Sequence, residues 1–259
     1  MKTTEVLKAL AISGYFVALY AQGGPPFITD DPEPVDYQHW EVYLASMDTK
    51  NQDGWNGTAP HIEVNYGAVT NLQLHLIAPL AYDGPNDGAA HFGYGDTELG
   101  AKFRFLEETE HLPQIGTFPL LEVPTGNASH SLGSGHLQIF LPVWMQKGFD
   151  RWTVYGGGGY GINPGPGNRS WGFVGEVTQY QVLTNVAVAA EFYHQTAQQE
   201  AERSNTAFNL GAIVDFSDHH HLLFSVGRSI SGPNRLQLYL AYQLTFDNSV
   251  FHFRNSGGR

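Results

Sequence analysis

The stretch Leu236-Gln-Leu-Tyr-Leu-Ala-Tyr-Gln-Leu-Thr-Phe246 alternates without a break. Leu236, Leu238, Leu240, Tyr242, Leu244 and Phe246 fall on one face, and Gln237, Tyr239, Ala241, Gln243 and Thr245 on the other. A period of two is that of a strand with one apolar and one polar side. The same pattern recurs toward the N terminus. In 60–66, Ile62, Val64 and Tyr66 oppose His61, Glu63 and Asn65. In 96–105, Leu99, Ala101, Phe103 and Phe105 oppose Glu98, Gly100, Lys102 and Arg104. Clear alternation also marks 40–46 and 72–78. It continues less cleanly through 115–123, 136–146, 152–162, 171–181, 186–195, 206–216 and 221–229. That makes twelve strands, each of about ten residues, the length a tilted strand needs to cross a bilayer.

The connections alternate too. Those at 48–58, 83–93, 125–134, 163–170, 196–205 and the shorter 230–234 carry most of the turn residues, as in NQDGWNG and TGNASHSLGSG. Those at 67–71, 107–112, 148–151, 182–185 and 217–220 are tight. A soluble β-sandwich alternates along its strands in the same way, but nothing obliges it to gather its long loops at one end. The pattern predicts an all-β fold: a closed antiparallel transmembrane β-barrel of about twelve strands, with short periplasmic turns and longer extracellular loops. Closure removes the unpaired edges that an open sheet would have to protect. Trp40, Tyr66, Trp152, Trp171 and Phe246 are the expected membrane-interface aromatics.

Composition narrows the field. The 259 residues hold 25 acids against 13 Lys and Arg, a formal charge of −12, which opposes nucleic-acid binding. The absence of cysteine removes thiol catalysis, zinc ribbons and disulfide frameworks. The 30 glycines and 13% aromatics suit strands better than helices. Residues 1–21 read as a secretory signal peptide: Lys2 and Lys8, an apolar run, then Ala21. That run is too short to span a bilayer, and no other long apolar segment exists. Residues 22–39, with four prolines and four acids, read as an extended periplasmic arm or a lumen plug. The barrel is then 40–246, and 247–259 form a C-terminal tail.

Two stretches resemble known patterns. Tyr239 to Phe246 is similar to the C-terminal signal read by the bacterial outer-membrane assembly machinery, with Ala241 where Gly is usual and thirteen residues still to follow. Pro26-Phe-Ile-Thr-Asp-Asp-Pro-Glu-Pro-Val35, followed by His39-Trp-Glu41, resembles the opening of a family of outer-membrane transporters often labelled MetA-pathway phenol-degradation proteins. Tyr94-Gly-Asp-Thr-Glu-Leu-Gly-Ala-Lys102 and Pro124-Thr-Gly126 extend the likeness. It implies a barrel in the outer-membrane bilayer that passes small, hydrophobic or aromatic molecules.

The polar face, taken as the lumen, supplies the candidate selectivity residues: Glu63, His75, Glu98, Lys102, Arg104, Glu122, Glu176 and Glu191. If Tyr66 faces Leu72 across the turn at 67–71, Glu63 lies opposite His75, a stabilising pair. Similar reasoning brings Glu98 near Glu122 and Glu176 near Glu191. Carboxylates that close need a cation between them or a shared proton, and Lys102 and Arg104 are the obvious counter-charges for Glu98. The expected function is a passive or facilitative channel for small solutes with an acidic constriction. A closed structural or adhesin-like barrel is the alternative. A lipid-modifying enzyme would need a Ser–His pair, for which His130, Ser131, Ser134 and His194 are the candidates. No cofactor is expected. Asp218-His-His-His221 is not expected to bind metal, since three consecutive side chains do not converge on one ion.

Overall fold

The computed structural model describes residues 24–251. The signal segment 1–21, the first two residues of the arm and tail residues 252–259 lie outside the described residues. The first strands are β1 (His39–Lys50), β2 (Gly54–Val69), β3 (Leu72–Pro85), β4 (His91–Tyr94) and β5 (Thr97–Leu106). Next come β6 (Gln114–Thr117), β7 (Leu120–Val123), β8 (Gln138–Phe149), β9 (Trp152–Ile162) and β10 (Trp171–Leu183). The chain closes with β11 (Val186–Gln195), β12 (Asn205–Ser217), β13 (His220–Ser231) and β14 (Leu236–Asp247).

These strands make twelve crossings of one antiparallel barrel, because β4 with β5 and β6 with β7 are single crossings interrupted midway. The first break falls at Gly95-Asp96, where the Gly95 amide still reaches the Pro79 carbonyl at 3.0 Å. The second falls at Phe118-Pro119, where proline has no amide to give the ladder. Barrel closure is long and regular: β1 and β14 pair over twelve residues, from His39↔Asp247 to Lys50↔Leu236.

Strand faces follow the alternation. Leu44, Ile62, Leu74, Phe105, Leu210 and Leu240 point out, each roughly half exposed, into the lipid-facing band. Glu63, Asn65, Gln73, Gln146, Asn209 and Gln243 point in and are buried. Trp40 packs on Tyr66 at 4.3 Å and stacks with Phe246 at 6.5 Å at the periplasmic rim. Trp152 packs on Tyr180 at 4.5 Å on the same rim. The tail begins as a short 3-10 turn, Asn248–Phe251, and Asn248 accepts a 2.7 Å bond from the Trp40 indole.

Three expectations are corrected. The connection after β1 is 51–53 rather than 48–58, because Trp55 to Thr58 continue the ladder opposite Met47 to Lys50. Asn51 stabilises this three-residue turn, its side chain accepting from the amides of Asp53 and Gly54. The longest connections, 124–137, 163–170 and 196–204, remain extracellular, as expected of a barrel. Trp171 is not a membrane-interface residue: it points inward and stacks on Phe140 at 4.8 Å. Tyr66 pairs with Leu74 instead of Leu72, so His75 sits opposite Asn65 and diagonal to Glu63.

Trp171 turns inward because the lumen is not uniformly polar. Phe118, Trp144, Phe173, Tyr193 and Ala207 form a buried cluster on the inner wall. A second cluster joins Tyr155 and Val177 to Phe27, which belongs to the arm. An apolar residue on a strand therefore has two places to go, the lipid or the arm.

Candidate functional site

The arm enters the barrel at the periplasmic mouth and rises to mid-depth, touching strands all round the ring. Close approach needs glycine at two points. A Cβ on Gly67 would lie 1.9 Å from the Asp36 carbonyl, and one on Gly175 would lie 2.0 Å from the Thr29 hydroxyl.

Backbone polar groups of the arm are met by inward side chains. Ser225 donates to the Pro26 carbonyl at 2.6 Å. Glu191 accepts from the amides of Ile28 at 3.0 Å and Thr29 at 2.6 Å, and from Asn209 at 2.5 Å. Gln73 accepts from the Val35 amide at 2.9 Å. The arm's acids meet the lumen's cations. Lys102 Nζ lies 2.9 Å from Asp30, 3.6 Å from Asp31 and 5.1 Å above the Phe118 ring. Arg104 lies 3.4 Å from Glu33, which also accepts from Gln114 at 2.9 Å. Lys102 and Arg104 are thus spent on the arm and make no ion pair with Glu98, contrary to expectation.

Above the arm an open vestibule of about 420 Å³ faces the extracellular side. One wall is polar. His75 Nε2 lies 3.0 Å from Glu98, while its Nδ1 bonds Asn65 at 2.7 Å and sits 3.7 Å from Glu63. Glu98 sits directly opposite Glu122 in the β5–β7 ladder, and Gln138 donates to Glu122 at 3.3 Å. The other wall is aromatic, built from Phe118, Phe140, Trp171 and Phe173. Alternation alone could not find that wall. Its signal was the inward glycines of β9: a Cβ on Gly159 would strike Phe140 at 2.7 Å, and one on Gly161 would strike Trp171 at 2.1 Å.

The expectation for Glu176 is overturned. It pairs with Phe192 and Gly156 and points out of the barrel, while Gly175 and Val177 on either side point in. The reason is again the arm, which covers Val177 and so reverses the simple rule that apolar residues face lipid. Glu176 lies in the lipid-facing band, four residues along β10 from Tyr180 of the aromatic rim. Glu176→Leu is therefore expected to stabilise the folded barrel by about 1–2 kcal/mol, since a lipid-facing carboxylate is costly near the bilayer centre. Urea unfolding in lipid vesicles measures this, and an unchanged or lowered midpoint would refute it.

The remaining candidates do not converge. The Ser134 hydroxyl lies 2.7 Å from Asp96 and 2.8 Å from the His136 carbonyl, one of which takes its single proton. His194 faces outward and meets Thr206 at 2.7 Å. His220 meets Tyr242 at 2.7 Å, whereas His221 meets Asp215 at 2.7 Å on the other face. Among the described residues, no group of three or more His, Asp or Glu is placed to hold a metal ion.

Residues 63–246, from β2 to the end of the last strand, match the family described as "Putative MetA-pathway of phenol degradation". The chain belongs to this family. As a member it is an outer-membrane β-barrel. The family match begins within the second strand, so the arm lies outside it. Among solved structures, the COG4313 outer membrane channel from Pseudomonas putida F1 is similar, with a TM-score of 0.71 at 16% identity over 83% of this chain and 98% of that one. The translocator domain of autotransporter NalP from Neisseria meningitidis is similar at a TM-score of 0.50 and 11% identity, over 80% and 86% of the two chains. At such identities these likenesses show the fold that the family member shares. No curated protein sequence matches the chain.

Proposed function

We propose that this barrel is a passive outer-membrane channel for small solutes, narrowed by its own N-terminal arm. The observation that carries this reading is the arm held by charge pairs beneath an open vestibule. A structural barrel has no need of a vestibule with a two-sided lining, and barrels that only anchor fill their lumen with side chains. The likeness to a protein described as an outer membrane channel supports the reading. The lumen residues we assign to solute selection are Glu63, His75, Glu98 and Glu122, with Lys102, Arg104 and Glu191 assigned to seating the arm. Acids outnumber free cations along this path, so the channel should favour cations and neutral solutes over anions. We assign no catalytic role, because Ser134 and His194 are engaged with separate partners, Asp96 and Thr206. The last strand is the segment we assign to recognition by the assembly machinery.

Single-channel recording of the mature protein in a planar bilayer tests the reading, alongside a form lacking the arm. Steady cation-selective steps are expected from the whole protein and larger steps from the armless form. A correctly folded barrel that stays silent in both forms would refute the channel and favour the closed structural barrel.

A further inference from the structure

The vestibule leaves two polar atoms unused. His61 is 4% exposed and lines the cavity. Its Nδ1 lies 3.0 Å from the Thr58 hydroxyl, while its Nε2 is buried without a partner. The Tyr239 hydroxyl is likewise buried without a partner, on the same side of the cavity, with the two rings 6.3 Å apart. Buried polar atoms are almost always satisfied, and exceptions at a cavity wall call for an explanation. When the Nδ1–H of His61 donates to Thr58, its Nε2 presents a lone pair. Tyr239 offers a second acceptor. Close by, Glu98 and Glu122 oppose each other with no Lys or Arg between them. No Lys or Arg of this wall is left to meet an anion, and the His75 nitrogens are already engaged with Glu98 and Asn65. The facing wall is aromatic, and ring faces attract cations.

We infer that the vestibule binds a primary ammonium compound with a flat apolar body, its N–H groups directed to His61 and Tyr239 and its body against Phe140 and Trp171. The three features agree in sign. The carboxylates supply charge, the two orphan atoms supply acceptors, and the aromatic stack supplies a surface for the body. The volume of about 420 Å³ suits a molecule of this size. An aromatic carboxylate would meet Glu98 and Glu122 with like charge and could take a bond only from the Tyr239 hydroxyl, leaving His61 Nε2 without a donor. This inference deepens the channel reading by naming the solute class, but the site can be tested without ion flow.

The experiment is calorimetric titration of the full mature protein, folded in detergent micelles, with 2-phenylethylammonium chloride, 2-phenylethanol and sodium phenylacetate. Saturable binding of the ammonium is expected, with the alcohol weaker and the carboxylate not binding. Tyr239→Phe removes a single oxygen and should weaken the ammonium about tenfold, while the paired change Glu98→Gln with Glu122→Gln should weaken it at least as much. Phe140→Leu should also weaken it by a few fold. Equal binding of phenylacetate, or ammonium binding indifferent to Tyr239→Phe in a folded barrel, would overturn the assignment. The same preparation, placed in planar bilayers, separates the two proposals. Conductance without ammonium binding removes this site and leaves the channel. Binding without conductance upholds the site and removes the channel.

Discussion

Lys102→Met is expected to release the arm and to sharpen cation preference. Lys102 is buried, and its ammonium group is the shared partner of Asp30 and Asp31, of which Asp31 is 1% exposed. Methionine keeps most of the apolar length of the side chain but removes the ammonium group, and with it both ion pairs and the contact of Nζ with the Phe118 ring. Two carboxylates are then left inside the lumen without that cation. Breaking a buried pair by removing one partner costs about 3–5 kcal/mol. The arm escapes this by leaving its seat, so the cost falls on docking while the strands stay paired. Two readouts follow. Chymotrypsin should cut the arm at Phe27, which is buried in the wild type, and the reversal potential in a salt gradient should move further toward that of the cation. An arm still protected, with an unchanged reversal potential, would show that the Lys102 pairs do not hold it.

Glu191→Ala is expected to have an effect of similar size. This carboxylate is 2% exposed and reaches no Lys or Arg; arm amides from Ile28 and Thr29, together with Asn209, satisfy it instead. Hydrogen bonds to a charged group contribute about 1.5–3 kcal/mol each, so the two arm bonds are together worth about 3–6 kcal/mol of docking. Glu191→Gln keeps a carbonyl oxygen for both amides and should lose much less. Unit conductance should therefore rise clearly in the alanine variant and little in the glutamine variant. Equal conductance in the two would mean that charge, and not the acceptor, is what matters. Combined with Lys102→Met, the alanine change should add little, because one arm cannot be released twice.

The architecture was legible because lipid and water impose opposite demands on alternate residues. β14 shows this best, since Leu240 and Tyr242 face lipid while Ala241 and Gln243 face the lumen, as the alternation requires. Loop length was a weaker guide. Asn56 and Gly57 look like turn residues yet sit opposite Thr49 and Asp48 in a ladder that continues past them. The candidate site was legible only in part. The approach of Glu98 to Glu122 could be counted across a turn, whereas His75 reached Glu63 only along a diagonal, the register being shifted by an irregularity between Gly67 and Val69. Glu176 and Trp171 went to faces opposite to those expected for one shared reason. The arm and the aromatic wall build an apolar interior, and neither is written in the pattern of the strand that meets it.

The arm also fixes an order of events. It precedes every strand in the chain, yet the groups that seat it come from β3, β5, β11 and β13, with Glu191 lying 162 residues beyond Thr29 and Ser225 lying 199 beyond Pro26. Those strands share one interior only after β1 has met β14. The arm, which comes before every strand, is therefore the last part to find its place. A newly closed molecule passes through a stage in which the ring is whole and its lumen is not yet filled by the arm.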